Sequence, residues 1–259
     1  MIKLIASDVD GTLLRGGVQE LTPEIFDIIK KLKEKGVIFV ASSGRPFPNL
    51  QRLFEPVKDD IYYVAENGTL YYVNGKLVTV QDLDRNLAHE ILREILRHPE
   101  NDILLAAAKT SYTQTKNQKY VDYVKNTIKY DLEVVDDILA VDDTFLKIAI
   151  CDFTGISNSA QPYFDLFKDK INVVTSGNIW LDLIPFGTCK GHALKKLIDE
   201  LGVDCKDVVS FGDQYNDVEM FEISGKSYAV SSHAEGIEKY VDEICEDPID
   251  VMRDILNSL

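Results

Sequence analysis

The sequence predicts an α/β protein, in which a doubly wound, mainly parallel sheet is interrupted by an inserted α+β domain. Strand-like apolar runs alternate with amphipathic helical patterns at both ends of the 259-residue chain. Between these stretches the alternation stops at an Asn74-Gly75 pair, a strong hairpin signal. We therefore expect a discontinuous first domain, residues 1–81 and 188–259, and a second domain over residues 82–187.

The first stretch carries three strand patterns with helical patterns between them. Thr22 and Pro23 predict a helix start, because a hydroxyl suits the cap position and proline suits the first turn. Apolar residues then recur at helical spacing until Gly36, which predicts the end of the helix. The predicted strands cover residues 2–6, 37–41 and 61–65, and a short helix follows Pro46.

The middle of the chain has a mixed pattern that does not continue this alternation. Its predicted helices cover residues 87–96 and 120–128, and its predicted strands cover residues 103–107, 145–153, 171–174 and 179–184. We find neither an internal repeat nor a low-complexity linker here. The pattern therefore indicates a folded α+β insertion.

The alternation of strands and helices returns after Lys190. The predicted helices cover residues 191–202, 217–223 and 234–241, and the predicted strands cover residues 207–211, 227–230 and 242–246. Strand–helix–strand connections of this kind build parallel sheets with helical crossovers. The two outer stretches are therefore expected to form one sheet.

The composition excludes several classes of protein. Hydrophobic residues make up 45% of the chain and charged residues 27%, which is ordinary for a globular protein. The net charge of −15 argues against nucleic acid or an anionic membrane as a partner. No apolar run reaches the length of a membrane span and the N-terminus lacks a secretory pattern, so we expect a cytoplasmic protein. The four scattered cysteines are then expected to be free thiols.

Polar side chains follow the predicted strands at the points where the strands end. They are Asp8, Asp10, Ser43, Gly44, Arg45, Glu66, Asn67, Asp213, Asn216 and Asp217, and Lys190 lies at the start of a later helix. Open α/β sheets bind ligands at the carboxyl ends of their parallel strands, so we expect these residues to share one site. An acidic, all-oxygen set suits Mg²⁺, and a hydroxyl with a lysine suits phosphoryl oxygens.

Asp8 and Asp10 lie two positions apart on an extended chain, so both can address one reacting centre. Taken alone, this pair is equally well interpreted as a turn acid and a helix cap. The other polar segments disfavour that interpretation. Lys190 could be a solvated lysine, but a cation is unfavourable at a helix N-terminus, so its position there indicates a functional role. Glu66 and Asn67 are interpreted as turn formers.

Four segments resemble, in order and spacing, the four motifs of the haloacid dehalogenase superfamily. They are "DVDGTLL", "SSGR", Lys190 in "CKGHAL", and "GDQYNDVEM". The segments "AENGTLYY" and "LDLIPFGTCKG" are further similar to the Cof-type phosphatases of subfamily IIB, in which an α/β cap is inserted between the second and third motifs. The resemblance implies a Rossmann-like core with an inserted cap.

The resemblance also implies roles for single residues. Asp8 would be the nucleophile that becomes an aspartyl phosphate, and Asp10 would act as general acid and then base. Ser43 and Lys190 would complete the catalytic set. The implied Mg²⁺ ligands are Asp8, the Asp10 carbonyl, Asp213 and Asp217, the last either directly or through a neighbour. The implied phosphate contacts are Ser43, Lys190, Asn216 and the backbone near Val9 and Gly44. Arg45 is interpreted equally well as a phosphate contact or as a partner in a salt bridge.

Two positions depart from the pattern of the family. Ser43 stands where threonine is more frequent, but the hydroxyl group is preserved. The segment "SSHAEG" stands where a Gly-Asn-Ala stretch is frequent, so His233 replaces an amide. We expect the chemistry to be unaffected and the contacts with the substrate to differ.

The leading interpretation is a Mg²⁺-dependent phosphatase that acts on small phosphorylated metabolites, such as sugar phosphates. A phosphotransferase or phosphomutase with the same chemistry is an alternative that the motifs leave open. A phosphorylation-switched binding module, similar to a response-regulator receiver, is another. Asp10 and the inserted domain disfavour the binding module, because they suit turnover and the selection of substrates. Candidate substrate contacts in the insertion are Lys109, Tyr112, Lys116 and Asn178, in and near the segments 109–120 and 176–180.

Overall fold

The computed structural model describes residues 1–176 and 178–259, apart from the side chain of Asn158. Gly177, within the predicted contact segment 176–180, lies outside the described residues. The described chain forms two compact units. The first unit combines residues 1–78 with residues 189–259, and the second unit consists of residues 79–188.

The first stretch of the chain forms five strands and two helices. They are β1 (Leu4–Ser7), α1 (Pro23–Glu34), β2 (Ile38–Ser42), α2 (Phe47–Leu53), β3 (Tyr62–Ala65), β4 (Leu70–Val73) and β5 (Lys76–Thr79). Helix α1 starts at the predicted proline, and Thr22 occupies the cap position without a side-chain capping bond. Its apolar stripe, which includes Ile25 and Leu32, is buried. Asn74 and Gly75 form the turn between β4 and β5, and both have positive φ angles.

Among its described residues, the second unit contains six strands and three α-helices. They are α3 (Arg85–Ile95), β6 (Asp102–Ala107), β7 (Ser111–Thr113), α4 (Gln118–Asp122), β8 (Leu132–Val134), β9 (Phe145–Cys151), α5 (Ala160–Phe167), β10 (Asn172–Thr175) and β11 (Trp180–Ile184). The strands form one sheet in the order β10-β11-β9-β6-β7-β8. Within it, β7 and β8 are parallel, and β9 is antiparallel to both β6 and β11.

Apolar packing covers both faces of the sheet in the second unit. Successive strand residues point to opposite faces. Leu104 accordingly packs in a cluster with Tyr120 of α4, whereas Leu105 packs in a cluster with Ile91 of α3 and Tyr163 of α5. The second unit therefore has a hydrophobic core of its own.

The last stretch of the chain completes the first unit. Its elements are α6 (Lys190–Glu200), β12 (Val208–Gly212), α7 (Val218–Glu222), β13 (Lys226–Val230), β14 (Glu243–Cys245) and α8 (Pro248–Ser258). The sheet of the first unit has the order β14-β13-β12-β1-β2-β3-β4-β5. All pairs from β14 to β3 are parallel, and β4 is antiparallel to β3. The predicted fold class, a mainly parallel sheet with helical connections, is confirmed.

Several predicted elements differ from the observed ones. The helix predicted over residues 234–241 is wrong, because only a single 3₁₀ turn, Ile237–Lys239, forms after the left-handed Gly236. The helix predicted over residues 120–128 is divided between α4 and a π-helical turn, Tyr123–Thr127. Strands β7 and β8 and helices α5 and α8 were not predicted. The helices among the described residues are too short or too polar to cross a lipid bilayer.

The parallel strands bring the predicted site residues to one edge of the sheet of the first unit. Asp8 follows β1, Ser43 follows β2, Glu66 follows β3 and Asp213 follows β12. These four strands are hydrogen-bonded neighbours that run in the same direction. Their carboxyl ends therefore form one rim, where α/β sheets bind ligands.

Candidate active site

The centre of the rim is a buried group of charges. The Lys190 ammonium lies 2.6 Å from Asp8 Oδ1 and 2.6 Å from Asp217 Oδ1. The Lys190 side chain is 1% exposed, and those of Asp8 and Asp217 are 4% and 0% exposed. A buried charge is tolerated only when it is paired, so these groups depend on one another.

Lys190 is placed by the start of α6. Cys189 occupies the cap position, and its Sγ accepts a hydrogen bond from the His192 amide. Gly191 lies so close to the backbone of Glu219 in α7 that a Cβ atom would overlap it. The helix N-terminus is an unfavourable place for a cation, and the two carboxylates offset this cost.

Asp213 lies against the turn that follows Asp8. A Cβ atom on Gly11 would overlap the Asp213 carboxylate, so only glycine permits this approach. Thr12 Oγ1 donates to Asp213 Oδ1 at 3.4 Å. The first predicted segment therefore shapes the space around Asp213 as well as supplying Asp8.

The acidic group fits a divalent cation that prefers oxygen ligands. Ligand atoms of Asp8, Asp213 and Asp217 lie within 4.8 Å of one another, and all three residues are buried. Asp8 Oδ2 is buried and has no hydrogen-bond partner among the described residues. Asp217 is already engaged, because Oδ1 accepts from Lys190 and Oδ2 accepts from the amides of Asp213 and Gln214. Asp8 and Asp213 are thus the carboxylates best placed to bind Mg²⁺ directly.

Burial without a metal ion disfavours the ionised acids. Burial raises the pKa of Asp8 to about 7, although Lys190 opposes this effect. Burial, reinforced by the charges of Asp8 and Asp217, raises the pKa of Asp213 to about 9. Burial alone would lower the pKa of Lys190, but the Asp217 and Asp8 carboxylates outweigh it and raise the pKa. Protonation of these acids would therefore compete with the binding of a cation.

Asp10 is not one of the three clustered acids, and its carboxylate is bound by Arg45. Arg45 Nε donates to Asp10 Oδ2 at 2.8 Å, and Nη2 donates to Asp10 Oδ1 at 2.7 Å. Arg45 also donates to Asn49 Oδ1 and Gln19 Oε1, each at 3.0 Å. The Arg45 side chain is 5% exposed, whereas that of Asp10 is 51% exposed. Arg45 was expected either to contact phosphate or to form a salt bridge, and in this structure its guanidinium forms an ion pair with Asp10.

The remaining predicted phosphate contacts line the same rim. Ser43 Oγ accepts from the Arg45 amide at 3.1 Å and lies 3.5 Å from Asp10 Oδ2. Val9 is fully buried, and its carbonyl accepts from the Leu13 and Leu14 amides, which closes the turn after Asp8. A Cβ atom on Gly44 would contact the side chain of Asn67.

Sequence reasoning missed the residues that support this set. Gln19 and Asn49 bind Arg45 but belong to no sequence signal that we recognised. Thr12 lies within "DVDGTLL", but its hydrogen bond to Asp213 was not predicted. Asn67 was expected at the rim and interpreted as a turn former, and its Oδ1 accepts a hydrogen bond of 3.0 Å from Asn216. Two sequence signals could have identified some of these residues. They are the glycine after Asn67 and the helical spacing between Arg45 and Asn49.

The chain is similar to known proteins over most of its length. A family model described as haloacid dehalogenase-like hydrolase matches residues 5–250. The protein named 5-amino-6-(5-phospho-D-ribitylamino)uracil phosphatase YbjI, from Escherichia coli, is 30% identical over 89% of this chain and 86% of its own. Phosphatase YwpJ of Bacillus subtilis is 25% identical, over 94% of each chain.

Solved structures share the whole fold. A crystal structure from Eubacterium rectale has a TM-score of 0.84 at 27% identity and covers 99% of this chain and 98% of its own. A haloacid dehalogenase-like hydrolase from B. subtilis has a TM-score of 0.86 at 21% identity, which shows the fold alone, over 97% and 99% of the two chains.

The chain belongs to the haloacid dehalogenase-like hydrolase family. The resemblance that its four sequence motifs predicted is thereby confirmed. The protein is a hydrolase, and its curated relatives in E. coli and B. subtilis are named as phosphatases.

Proposed function

We propose that this protein is a Mg²⁺-dependent phosphatase that hydrolyses small phosphomonoesters through a phosphorylated Asp8. One observation carries the proposal. Asp8 is buried beside Asp213, with Oδ1 held by Lys190 and Oδ2 without a partner among the described residues. This arrangement suits a nucleophile that is both oriented and close to a cation site.

The residues divide the reaction into two steps. Asp8 attacks phosphorus, and the P–O bond to the leaving group breaks as Asp10 supplies a proton to that oxygen. Asp10 then removes a proton from water, which attacks phosphorus and releases inorganic phosphate from Asp8. Lys190 reduces the charge on Asp8, and Ser43 is placed to donate to the phosphoryl oxygens.

Mg²⁺ would be held by Asp8 and Asp213, with the Asp10 carbonyl as a further ligand and Asp217 orienting Lys190 and the Asp213 backbone. The ion would supply positive charge that lowers repulsion between the acids and the phosphoryl group.

The substrate class is proposed to be a sugar phosphate or a similar small metabolite. With a net charge of −15, the chain repels anions except where positive charge is concentrated. At the rim, Lys190 and Arg45 are each paired with carboxylates, so a bound Mg²⁺ would supply the additional positive charge. The named substrate of the E. coli relative, a phosphorylated ribitylaminouracil, is one candidate of this class.

The second unit is proposed to act as a cap that selects substrates. Of the four predicted contacts, Tyr112 is buried and its hydroxyl donates to Asp143 Oδ2 at 3.1 Å. Lys109, Lys116 and Asn178 are exposed and remain the candidates. Replacing a true contact with alanine should lower kcat/KM for the preferred metabolite but not for p-nitrophenyl phosphate.

The proposal is tested by measuring phosphate release from a panel of phosphomonoesters with and without Mg²⁺. The panel includes sugar phosphates, the ribitylaminouracil phosphate and p-nitrophenyl phosphate. We expect Mg²⁺-dependent release of inorganic phosphate in stoichiometric amounts with the alcohol. Transfer of phosphate to a second alcohol without free phosphate would instead identify a phosphotransferase, and no turnover of any ester would refute the proposal.

A further inference from the structure

The turn after β3 has an unusual backbone. Glu66, Asn67 and Gly68 have φ angles of 52°, 56° and 91°, which place three consecutive residues in the left-handed region. For Glu66 and Asn67 this conformation costs free energy, on the order of 1 kcal/mol each. All three residues are buried. Such strain persists only where the surrounding structure enforces it.

The backbone of this turn contacts two other segments of the rim. The Asn67 amide donates to the Ser43 carbonyl and the Glu66 amide donates to the Arg45 carbonyl, both at 3.1 Å. A Cβ atom on Gly68 would overlap the carbonyl of Cys189, next to Lys190. The turn is thus packed against the phosphate-binding turn after β2 and against the start of α6.

The side chain of Asn67 reaches the fourth segment. Asn67 Oδ1 accepts a hydrogen bond of 3.0 Å from Asn216 Nδ2, across 149 positions of sequence. This bond fixes the amide orientation of Asn216. Asn216 Oδ1 is buried and has no hydrogen-bond partner among the described residues. Asn67 accepts from one of the two N–H groups of the Asn216 side chain, so the second N–H is left to donate to a phosphoryl oxygen.

We infer that Asn67 is a positioning residue that acts through Asn216, and that its left-handed conformation is retained for this purpose. The inference rests on the proposed phosphatase function. A turn former alone would not need a carboxamide, because glycine adopts this conformation without steric strain. Asn67 instead supplies an acceptor that aligns Asn216 with the Ser43–Gly44 turn.

The test is a double-mutant cycle of Asn67→Gly and Asn216→Ala. Asn67→Gly keeps the backbone conformation and removes the acceptor, so we expect its melting temperature to stay within a few degrees of wild type. We expect kcat/KM to fall by about tenfold in either single variant. In the Asn216→Ala background, Asn67→Gly should change kcat/KM by less than about twofold, because Asn67 then has no Asn216 amide to orient.

Asn74→Gly is the matched control. Asn74 also has a left-handed φ, of 50°, but lies in the exposed β4–β5 turn. This control should retain wild-type activity. An equal fall in kcat/KM for Asn67→Gly in both backgrounds would overturn the inference, as would full activity of Asn67→Gly alone.

Binding of inorganic phosphate in the presence of Mg²⁺, measured by calorimetry, separates this inference from the proposed function. In the same double-mutant cycle, the Kd for phosphate should be about tenfold weaker in each single variant, and the double variant should show no further weakening. If wild type bound phosphate but hydrolysed no ester, the proposed function would fail while the cycle in Kd would still decide the role of Asn67. Additive losses in Kd would refute it.

Discussion

Asp8 Oδ1 accepts a hydrogen bond from Lys190, so the Asp8 carboxylate is difficult to replace with another side chain. We predict that Asp8→Asn lowers kcat by at least about a thousandfold, because an amide is a poor nucleophile and a poor Mg²⁺ ligand. Phosphate release under saturating substrate and Mg²⁺ measures this. Asp27→Asn, an exposed change of the same type on α1, is the control and should be fully active. Activity of Asp8→Asn near that of wild type would refute the mechanism.

The raised pKa of Asp213 predicts a dependence of stability on pH when Mg²⁺ is absent. Between pH about 4 and about 9 the folded protein keeps a proton on Asp213 that the unfolded chain releases, so stability falls as the pH rises. Asp213→Asn removes this pH-dependent loss of stability. In EDTA, we expect the melting temperature of the variant to equal or exceed that of wild type, with a difference that grows from pH 5 to pH 8.

The same melting experiment with Mg²⁺ should show a stabilisation that increases with pH. Mg²⁺ should raise the melting temperature of wild type more at pH 8 than at pH 5, and should affect Asp213→Asn little. A clear fall in the metal-free melting temperature of Asp213→Asn would show that Asp213 is mainly structural.

Arg45 provides a test of how Asp10 is oriented. Arg45→Lys keeps a positive charge but loses the two-point contact with the Asp10 carboxylate. We predict that kcat falls by about tenfold while KM changes by less than about threefold. Arg253→Lys, which alters a surface ion pair with Glu24, is the control. A change in KM alone would favour direct contact between Arg45 and the substrate.

Individual residues of the site were only partly predictable from the sequence. Asp8, Ser43, Asp213 and Lys190 follow strands or begin a helix, so their positions could be expected from the strand pattern and the motifs. The partner of Arg45 could not, because a guanidinium on a turn can reach several acids and the choice depends on side-chain geometry. The role of Asn67 was not predicted for the same reason, since its hydrogen bond to Asn216 links segments that are distant in sequence.

At the scale of elements, the contact between α6 and α7 is predicted to be sensitive to volume. Gly191→Ala should force the start of α6 away from the backbone of Glu219, and overpacking of this kind costs roughly 1–3 kcal/mol. Because Lys190 is adjacent, we expect both a lower melting temperature and a loss of kcat. Lys196→Ala, on the exposed face of α6, should alter neither. An unchanged kcat in Gly191→Ala would show that Lys190 adapts to the shift.

Elements with strong local signals were predicted well, and the failures have physical causes. Helix α1 has a proline start and an apolar stripe, and the β4–β5 turn has its asparagine and glycine. Strands β7 and β8 have three residues each, too few to show a period. Residues 234–241 have apolar spacing that suits a helix, but Gly236 adopts a left-handed conformation that a helix does not allow.

At the scale of the whole molecule, the second unit is predicted to fold alone. Its sheet is covered on both faces by apolar clusters that belong to residues 79–188. We expect a fragment of residues 79–188 to show a circular dichroism spectrum of mixed helix and strand and a cooperative thermal transition. A fragment without a transition would show that the first unit is needed for its fold.

The order of strands in the first sheet has a consequence for synthesis on the ribosome. Strand β1 is made first, but its neighbour β12 lies beyond the whole second unit. The second unit can therefore become compact while β1 still lacks one partner. Lys190 and Asp8 are 182 positions apart, so their ion pair cannot form until most of the chain has emerged. A nascent chain stalled before β12 would carry an exposed strand edge, and it should be the form most dependent on chaperones.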